Sequence, residues 1–171
     1  CHGLHFAAGD IQSYKPTGPV HLAISLHACD TATDDTIAQA IRWEARVIFT
    51  VPCCHREIAG LLPVNVLPGV TGYGLLKDRF CAMATDALRA RYLETRGYST
   101  QAIEFIDMEH TPKNVLLRAV RRSGTTEAEQ EIRLREYHQL RRDLGIAAWH
   151  LDKTPQAPAG KVVPAETASL A

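Results

Sequence analysis

The sequence has no excess of charge of either sign, since Lys plus Arg and Asp plus Glu each number 19 among 171 residues. A balanced chain has no global field that attracts nucleic acid or a membrane surface, although local clusters are not excluded. No apolar run approaches the ~20 residues that span a bilayer, and no segment resembles a signal peptide. With 46% hydrophobic residues, the chain is typical of a soluble globular protein with one substantial core.

Cysteine is scarce and odd in number, with five residues of which two are adjacent. This pattern does not suit the disulfide framework of a small secreted protein, so we expect a reducing, cytoplasmic location. Proline, alanine, threonine and glycine dominate the end of the chain. This composition predicts a domain over residues 1–152, followed by a disordered tail over residues 153–171.

Two apolar runs predict strands that end in chemically active side chains. Residues 46–51 are mostly β-branched or aromatic, as expected of a strand covered on both faces, and Pro52 should end it because proline lacks an N–H. Two thiols and an imidazole follow: Cys53, Cys54 and His55. The run 20–26 ends in a similar set: His27, Ala28, Cys29 and Asp30. Open α/β sheets bind ligands at the carboxyl ends of their strands, so these residues predict one shared site.

Strands and helices alternate along the rest of the chain. The pattern predicts further strands at residues 4–8, 102–108 and 114–121 and helices at about 31–44, 55–61, 73–96 and 125–143, with a loop at 63–74. The helix 73–96 has a predicted apolar stripe: Leu76, Phe80, Met83, Ala84, Ala87, Leu88 and Leu93. The last two strands are five residues apart and should form an antiparallel hairpin. The predicted fold is therefore α/β, with a mostly parallel, Rossmann-like sheet closed by that hairpin.

Four short stretches make the chain resemble class I S-adenosylmethionine-dependent methyltransferases, in particular a bacterial methyltransferase-domain family. It is more distantly similar to eukaryotic tRNA 2′-O-methyltransferases. The stretches are Gly9-Asp10-Ile11 and residues 27–34, 51–55 and 109–114. The resemblance implies transfer of a methyl group from S-adenosylmethionine to an unknown acceptor, with RNA and protein as candidates. It also places Asp10 and Ile11 at the adenine, and His27, Ala28 and Cys29 beside the methionine moiety.

In that family, a Gly-rich turn after the first strand holds the cofactor, and an acid after the second strand binds its ribose. Neither motif is present here, and the chain starts at Cys1 almost within a predicted strand. We therefore expect a fragment that lacks the N-terminal strands of the sheet and is inactive by itself.

The predicted catalytic residues each have an alternative interpretation. His27 and Asp30 fit a base and its orienting acid, or a structural histidine and a helix cap. Asp10 fits an adenine ligand or an ordinary turn residue.

The residues Cys53, Cys54 and His55 fit three roles: shaping a substrate pocket, attacking covalently through a thiolate, or binding zinc together with Cys29 and His27. They also fit small buried residues with no chemistry. Adjacent cysteines lack the usual gap between zinc ligands, so we expect no metal.

The loop before the last strand offers a candidate substrate contact through Glu109, His110, Lys113 and Asn114. Its alternative is a polar hairpin turn. For the whole protein, two other functions stay open. One is a non-catalytic, Rossmann-like binding protein. The other is a zinc or thiol-redox module that uses Cys29, Cys53 and Cys54. Beyond a methyl acceptor, no membrane partner and no obligate metal are expected.

Overall fold

The computed structural model describes residues 3–26, 28–104 and 114–154. The described strands are β1 (Leu22–Leu26), β2 (Val47–Val51), β3 (Tyr98–Glu104) and β4 (Val115–Arg121). The described helices are α1 (Thr31–Arg42), α2 (Arg56–Leu61), α3 (Pro68–Thr71), α4 (Gly74–Thr95), α5 (Glu127–Asp143) and α6 (His150–Lys153). Within these ranges, every helix is too short or too polar to cross a membrane.

The four strands form one mixed sheet in the order β1-β2-β4-β3. Strands β1 and β2 are parallel, with Leu26 opposite Val51, while β4 pairs antiparallel with both β2 and β3. The predicted α/β class and the terminal hairpin are therefore confirmed. Strands β1, β2 and β3 run in the same direction, and only β4, which lies between β2 and β3, is reversed. This mixed sheet is compatible with the predicted arrangement of parallel strands closed by an antiparallel hairpin.

The helices cover one face of the sheet and leave the other open. Helices α1 and α4 pack against the strands, and their contacts bury side chains such as Ile37, Ile48 and Leu88. Alternate residues of a strand point to opposite faces, and the opposite face of β1 exposes Leu22, Ile24 and Leu26. On β2, Val47 and Phe49 of the same face are half-buried, and Val51 is buried. The expectation that residues 46–51 are covered on both faces is therefore met only in part, since Arg46 is exposed.

Three local predictions differ from the structure. Residues 4–8 form no strand, and their apolar side chains Leu4 and Phe6 are exposed; an apolar run makes a strand only where a neighbour accepts its hydrogen bonds. The predicted loop 63–74 contains the short helix α3, and α6 was not predicted. Strand β3 starts at Tyr98, four residues before its predicted start, and the predicted continuation over 105–108 lies outside the described residues.

The buried face of α4 is rotated from the predicted stripe. Leu76, Met83 and Ala87 are exposed. The buried residues are Cys81, Ala84, Thr85, Leu88, Arg89, Tyr92, Leu93 and Thr95. Three of these are polar or charged and have partners: the Thr85 hydroxyl donates to the carbonyl of Cys81, the Thr95 hydroxyl donates to the carbonyl of Tyr92, and Arg89 pairs with an acid on α1. Apolar residues alone therefore define the buried face only in part.

The carboxyl end of the described chain is held by hydrogen bonds between α5 and the segment around α6. The fully buried indole N–H of Trp149 donates to the hydroxyl of Tyr137 at 2.7 Å, and that hydroxyl donates to Asp152 at 2.6 Å. His150 bonds to Asp35 of α1 at 2.7 Å. Helix α6 is thereby fixed against α1, and Thr154 is still buried, two residues beyond the predicted end of the domain.

Candidate active site

Parallel pairing of β1 and β2 brings three thiols together at the carboxyl edge of the sheet. Cys29 follows β1 by three residues, and Cys53 and Cys54 follow β2 after Pro52. The Sγ atoms of Cys29 and Cys53 are 3.5 Å apart, and those of Cys53 and Cys54 are 3.7 Å apart. All three sulfur atoms lie within 4.8 Å of one another. Residues 24 positions apart in sequence thus share one small cluster, as the strand-end pattern predicts.

Burial raises the pKa of the Cys53 thiol to about 11, and its hydrogen bonds with Cys29 and Cys54 add to the shift. At neutral pH this thiol is protonated. A covalent nucleophile needs a lowered pKa, which makes more of the thiolate available. The electrostatics of the cluster therefore do not favour the interpretation of Cys53 as an attacking thiolate.

His55 lies at the start of α2, next to the cysteine pair, and forms a pair with a carboxylate. Its residue is 9% exposed, and its Nε2 lies 3.1 Å from Oδ1 of Asp78 on α4. A carboxylate that bonds one ring nitrogen fixes the orientation of the imidazole, as in many catalytic bases. The sequence prediction included His55 but missed Asp78, because nothing local signals a partner 23 residues away.

Asp30 acts as a connector between two helices. Its backbone has φ 51° at the start of α1. Its carboxylate accepts from the backbone N–H of Glu57 in α2, with distances of 3.2 and 3.4 Å to the two oxygens. Its carbonyl accepts from Arg89 at 2.9 Å. Although Asp30 directly precedes α1, its side chain makes no cap hydrogen bond with that helix and instead binds the first turn of α2. The catalytic role of Asp30 stays a prediction.

The residues predicted to bind the cofactor lie in turns before and after β1. Asp10 is exposed, and its carboxylate accepts from the backbone N–H of Gln12 at 2.9 Å, as in an Asx turn. Ile11 and Ala28 are half-buried, and the Ala28 carbonyl accepts from the hydroxyl of Thr33. The cofactor-binding role of these residues stays a prediction.

Several predicted site residues lie outside the part of the chain that the structure describes. They are His27, Glu109, His110 and Lys113. Asn114, the last member of the predicted substrate loop, is described and is buried directly before β4. Its burial places it in the body of the domain.

A cavity of about 480 Å³ lies between α4 and α5, away from the thiols. Its wall includes Tyr92, Arg96, Tyr137 and His138 but none of the predicted site residues. Along α4, the 14 residues from Asp78 to Tyr92 correspond to roughly 21 Å. The cavity is therefore separate from the site at the sheet edge.

Residues 2–60 match a family model described as a methyltransferase domain. The matched range contains β1, α1 and β2 and most of α2, and so includes all three clustered thiols and His55. The match supports a methyltransferase-domain family for this part of the chain and confirms the resemblance found in the sequence. The mixed α/β sheet is compatible with such a domain.

The chain is also similar to a curated protein from Bos taurus, a glutathione S-transferase C-terminal domain-containing protein. The two are 27% identical over 126 residues, which cover 59% of this chain and 20% of the relative. The chain thus spans about a fifth of that relative's length. No solved structure matches the chain significantly.

Proposed function

From the premise that residues 2–60 carry a methyltransferase domain, we propose that the protein is an S-adenosylmethionine-dependent methyltransferase. The observation behind this proposal is the pairing of His55 with Asp78 beside the thiols, at the edge where β1 and β2 end. This edge is the usual ligand position in α/β sheets. A reducing, cytoplasmic location suits a cluster of cysteines that form no disulfide.

The cofactor, when bound, supplies a methyl group on a positively charged sulfur. Asp10 and Cys29 are both exposed, which is compatible with contact with such a ligand. Under this proposal Asp10 and Ile11 hold the adenine, and Ala28 and Cys29 lie along the methionine moiety. His27 is also predicted to lie beside the methionine moiety.

The acceptor must lose a proton when it gains a methyl group. We propose that His55 acts as the general base that takes this proton. Asp78 holds the imidazole in one orientation through its 3.1 Å hydrogen bond. Asp30 positions the base indirectly, by binding the start of α2 that carries it. Positioning and one proton transfer are the main demands of this displacement, which needs no covalent intermediate with the protein. RNA and protein are the acceptor classes that we propose.

His55→Ala tests the assignment in the protein at its natural length. Loss of a general base lowers turnover by ~10²–10⁴-fold, while calorimetry should show cofactor binding little changed. Transfer of a labelled methyl group to a cell extract measures turnover, and RNase or protease treatment of the product identifies the acceptor class. His138→Ala is the matched control, because His138 is exposed on α5 at the separate cavity.

Two results would reverse parts of this proposal. If Cys53→Ser abolishes transfer while His55→Ala stays near wild type, the thiol is the reactive group. If the protein binds S-adenosylmethionine but labels nothing in any extract, it is a non-catalytic Rossmann-like binding protein.

A further inference from the structure

We propose that Cys29, Cys53 and Cys54 form a binding site for one Zn²⁺ ion with three thiolate ligands. The three sulfur atoms come from two strand ends and converge within 4.8 Å. Cys29 is exposed and the other two are half-buried, so an ion has access from solvent. This proposal does not rest on methyl transfer, and it replaces the expectation of no metal.

The sulfur separations are those of a thiolate metal site. With Zn–S bonds of ~2.3 Å, two ligands of a tetrahedral ion are ~3.8 Å apart. The observed separations are 3.5 Å for Cys29 and Cys53 and 3.7 Å for Cys53 and Cys54. The third pair, Cys29 and Cys54, lies within 4.8 Å, so a shift of at most about 1 Å brings all three sulfur atoms to tetrahedral distances. A disulfide would instead require two sulfur atoms at ~2.05 Å, and it would leave the third thiol unexplained.

Cys53 and Cys54 are adjacent and lack the two-to-four-residue gap that usually separates zinc ligands. That gap applies to ligand pairs that come from one turn of chain. Here the two adjacent thiols reach the same point in space, and Cys29 arrives from the neighbouring strand. The parallel pairing of β1 and β2 thus brings the three thiols together, without a single turn of chain that supplies two spaced ligands.

The ligand set also indicates which ion is bound. Soft thiolates select zinc over the hard cations Mg²⁺ and Ca²⁺. Within the described ranges, no fourth His, Cys or carboxylate joins the three thiols. We therefore assign the fourth coordination position to an exogenous ligand such as water. Three protein ligands and one exchangeable position are the pattern of reactive zinc sites.

The test uses the reduced protein after metal has been removed with a chelator. Competition with a chromophoric chelator should show one equivalent of Zn²⁺ per chain, and Co²⁺ should give an intense thiolate charge-transfer absorption. Cys29→Ser, Cys53→Ser and Cys54→Ser should each weaken zinc binding beyond the ~10–100-fold effect of losing a second-shell partner. Cys81→Ala is the matched control, because Cys81 is buried in α4 outside the cluster.

Circular dichroism of each variant shows whether it retains the fold. X-ray absorption on the zinc-loaded wild type provides a second measurement that needs no variant, with three sulfur scatterers expected at ~2.3 Å. A shell of nitrogen and oxygen alone would overturn the proposal. So would the absence of stoichiometric binding by reduced wild type, or unchanged affinity in Cys29→Ser.

Discussion

Arg89 and Asp34 form an ion pair in which each side chain is 1% exposed. The guanidinium donates to both carboxylate oxygens, at 2.8 and 3.3 Å, and a third bond reaches the carbonyl of Asp30. Arg89→Met removes the partner of a buried carboxylate and should lower the free energy of unfolding by ~3–5 kcal/mol. Urea unfolding measures this change.

The matched control for the ion pair is Arg91→Met, two residues further along α4. Arg91 pairs with Glu94 and Glu136, but its side chain is 46% exposed. Exposed pairs contribute ~0–1 kcal/mol, so this variant should unfold close to wild type. Equal losses in the two variants would show that burial of the Arg89 pair has no special energetic effect.

Some contacts between distant residues are predictable from the sequence, and others are not. The meeting of Cys29 with Cys53 was predictable, because the carboxyl ends of neighbouring parallel strands converge. The partners Asp78 of His55 and Asp34 of Arg89 were not, since they lie 23 and 55 residues away. The periodicity of a helix or strand does not reveal a partner so far away in the sequence. A polar residue on a buried face therefore cannot be distinguished from a solvent-facing one before its partner is known.

Helix α5 begins with a capping box that stabilises a mostly polar element. The Thr126 hydroxyl accepts from the N–H of Glu129 at 3.2 Å, and the Glu129 carboxylate accepts from the N–H of Thr126 at 3.0 Å. Thr126→Ala should lower the free energy of unfolding by ~1 kcal/mol. Denaturant unfolding with Thr125→Ala as control checks this, because the buried hydroxyl of Thr125 has no hydrogen-bond partner among the described residues.

The capping box also has a pH dependence of known sign. Hydrogen bonds from the backbone and then the hydroxyl of Thr126 lower the pKa of Glu129. A lowered folded-state pKa means that the contribution of Glu129 is present above its ordinary pKa and is lost as pH falls through the folded value. The difference in the free energy of unfolding between Thr126→Ala and wild type should therefore become smaller in acid. If that difference stays constant with pH, the effect comes from the threonine hydroxyl alone.

The existence of each long helix was predictable from its period, but the face of α4 was not. The predicted apolar stripe included the buried residues Ala84, Leu88 and Leu93 but missed Cys81 and Tyr92. It also missed Thr85 and Arg89, because their polar side chains look solvent-facing in the sequence. The prediction of a strand at residues 4–8 was wrong for another reason. A local apolar run does not show whether a neighbouring strand is present to pair with it.

Helix α6 is the last element of the described domain, and the segment 155–171 follows it. That segment is rich in alanine and proline, and we expect it to bury little surface. Its removal should leave the melting temperature unchanged. A fall of several degrees in a thermal scan would show that the segment docks.

A deeper truncation, ending before Trp149, is the informative control for the first one. It removes a fully buried indole and its hydrogen bond to Tyr137. Loss of a large aromatic from a core costs ~3–5 kcal/mol, which for a domain of this size corresponds to a fall on the order of 10 °C. Equal melting temperatures for the two truncations would mean that α6 does not stabilise the domain.

The open face of the sheet sets the behaviour of the protein at high concentration. Leu22, Ile24 and Leu26 form an apolar row on β1, which has only one neighbouring strand in the described sheet. Unpaired backbone groups beside such a row allow another chain to extend the sheet. We therefore expect this chain to self-associate increasingly as its concentration rises.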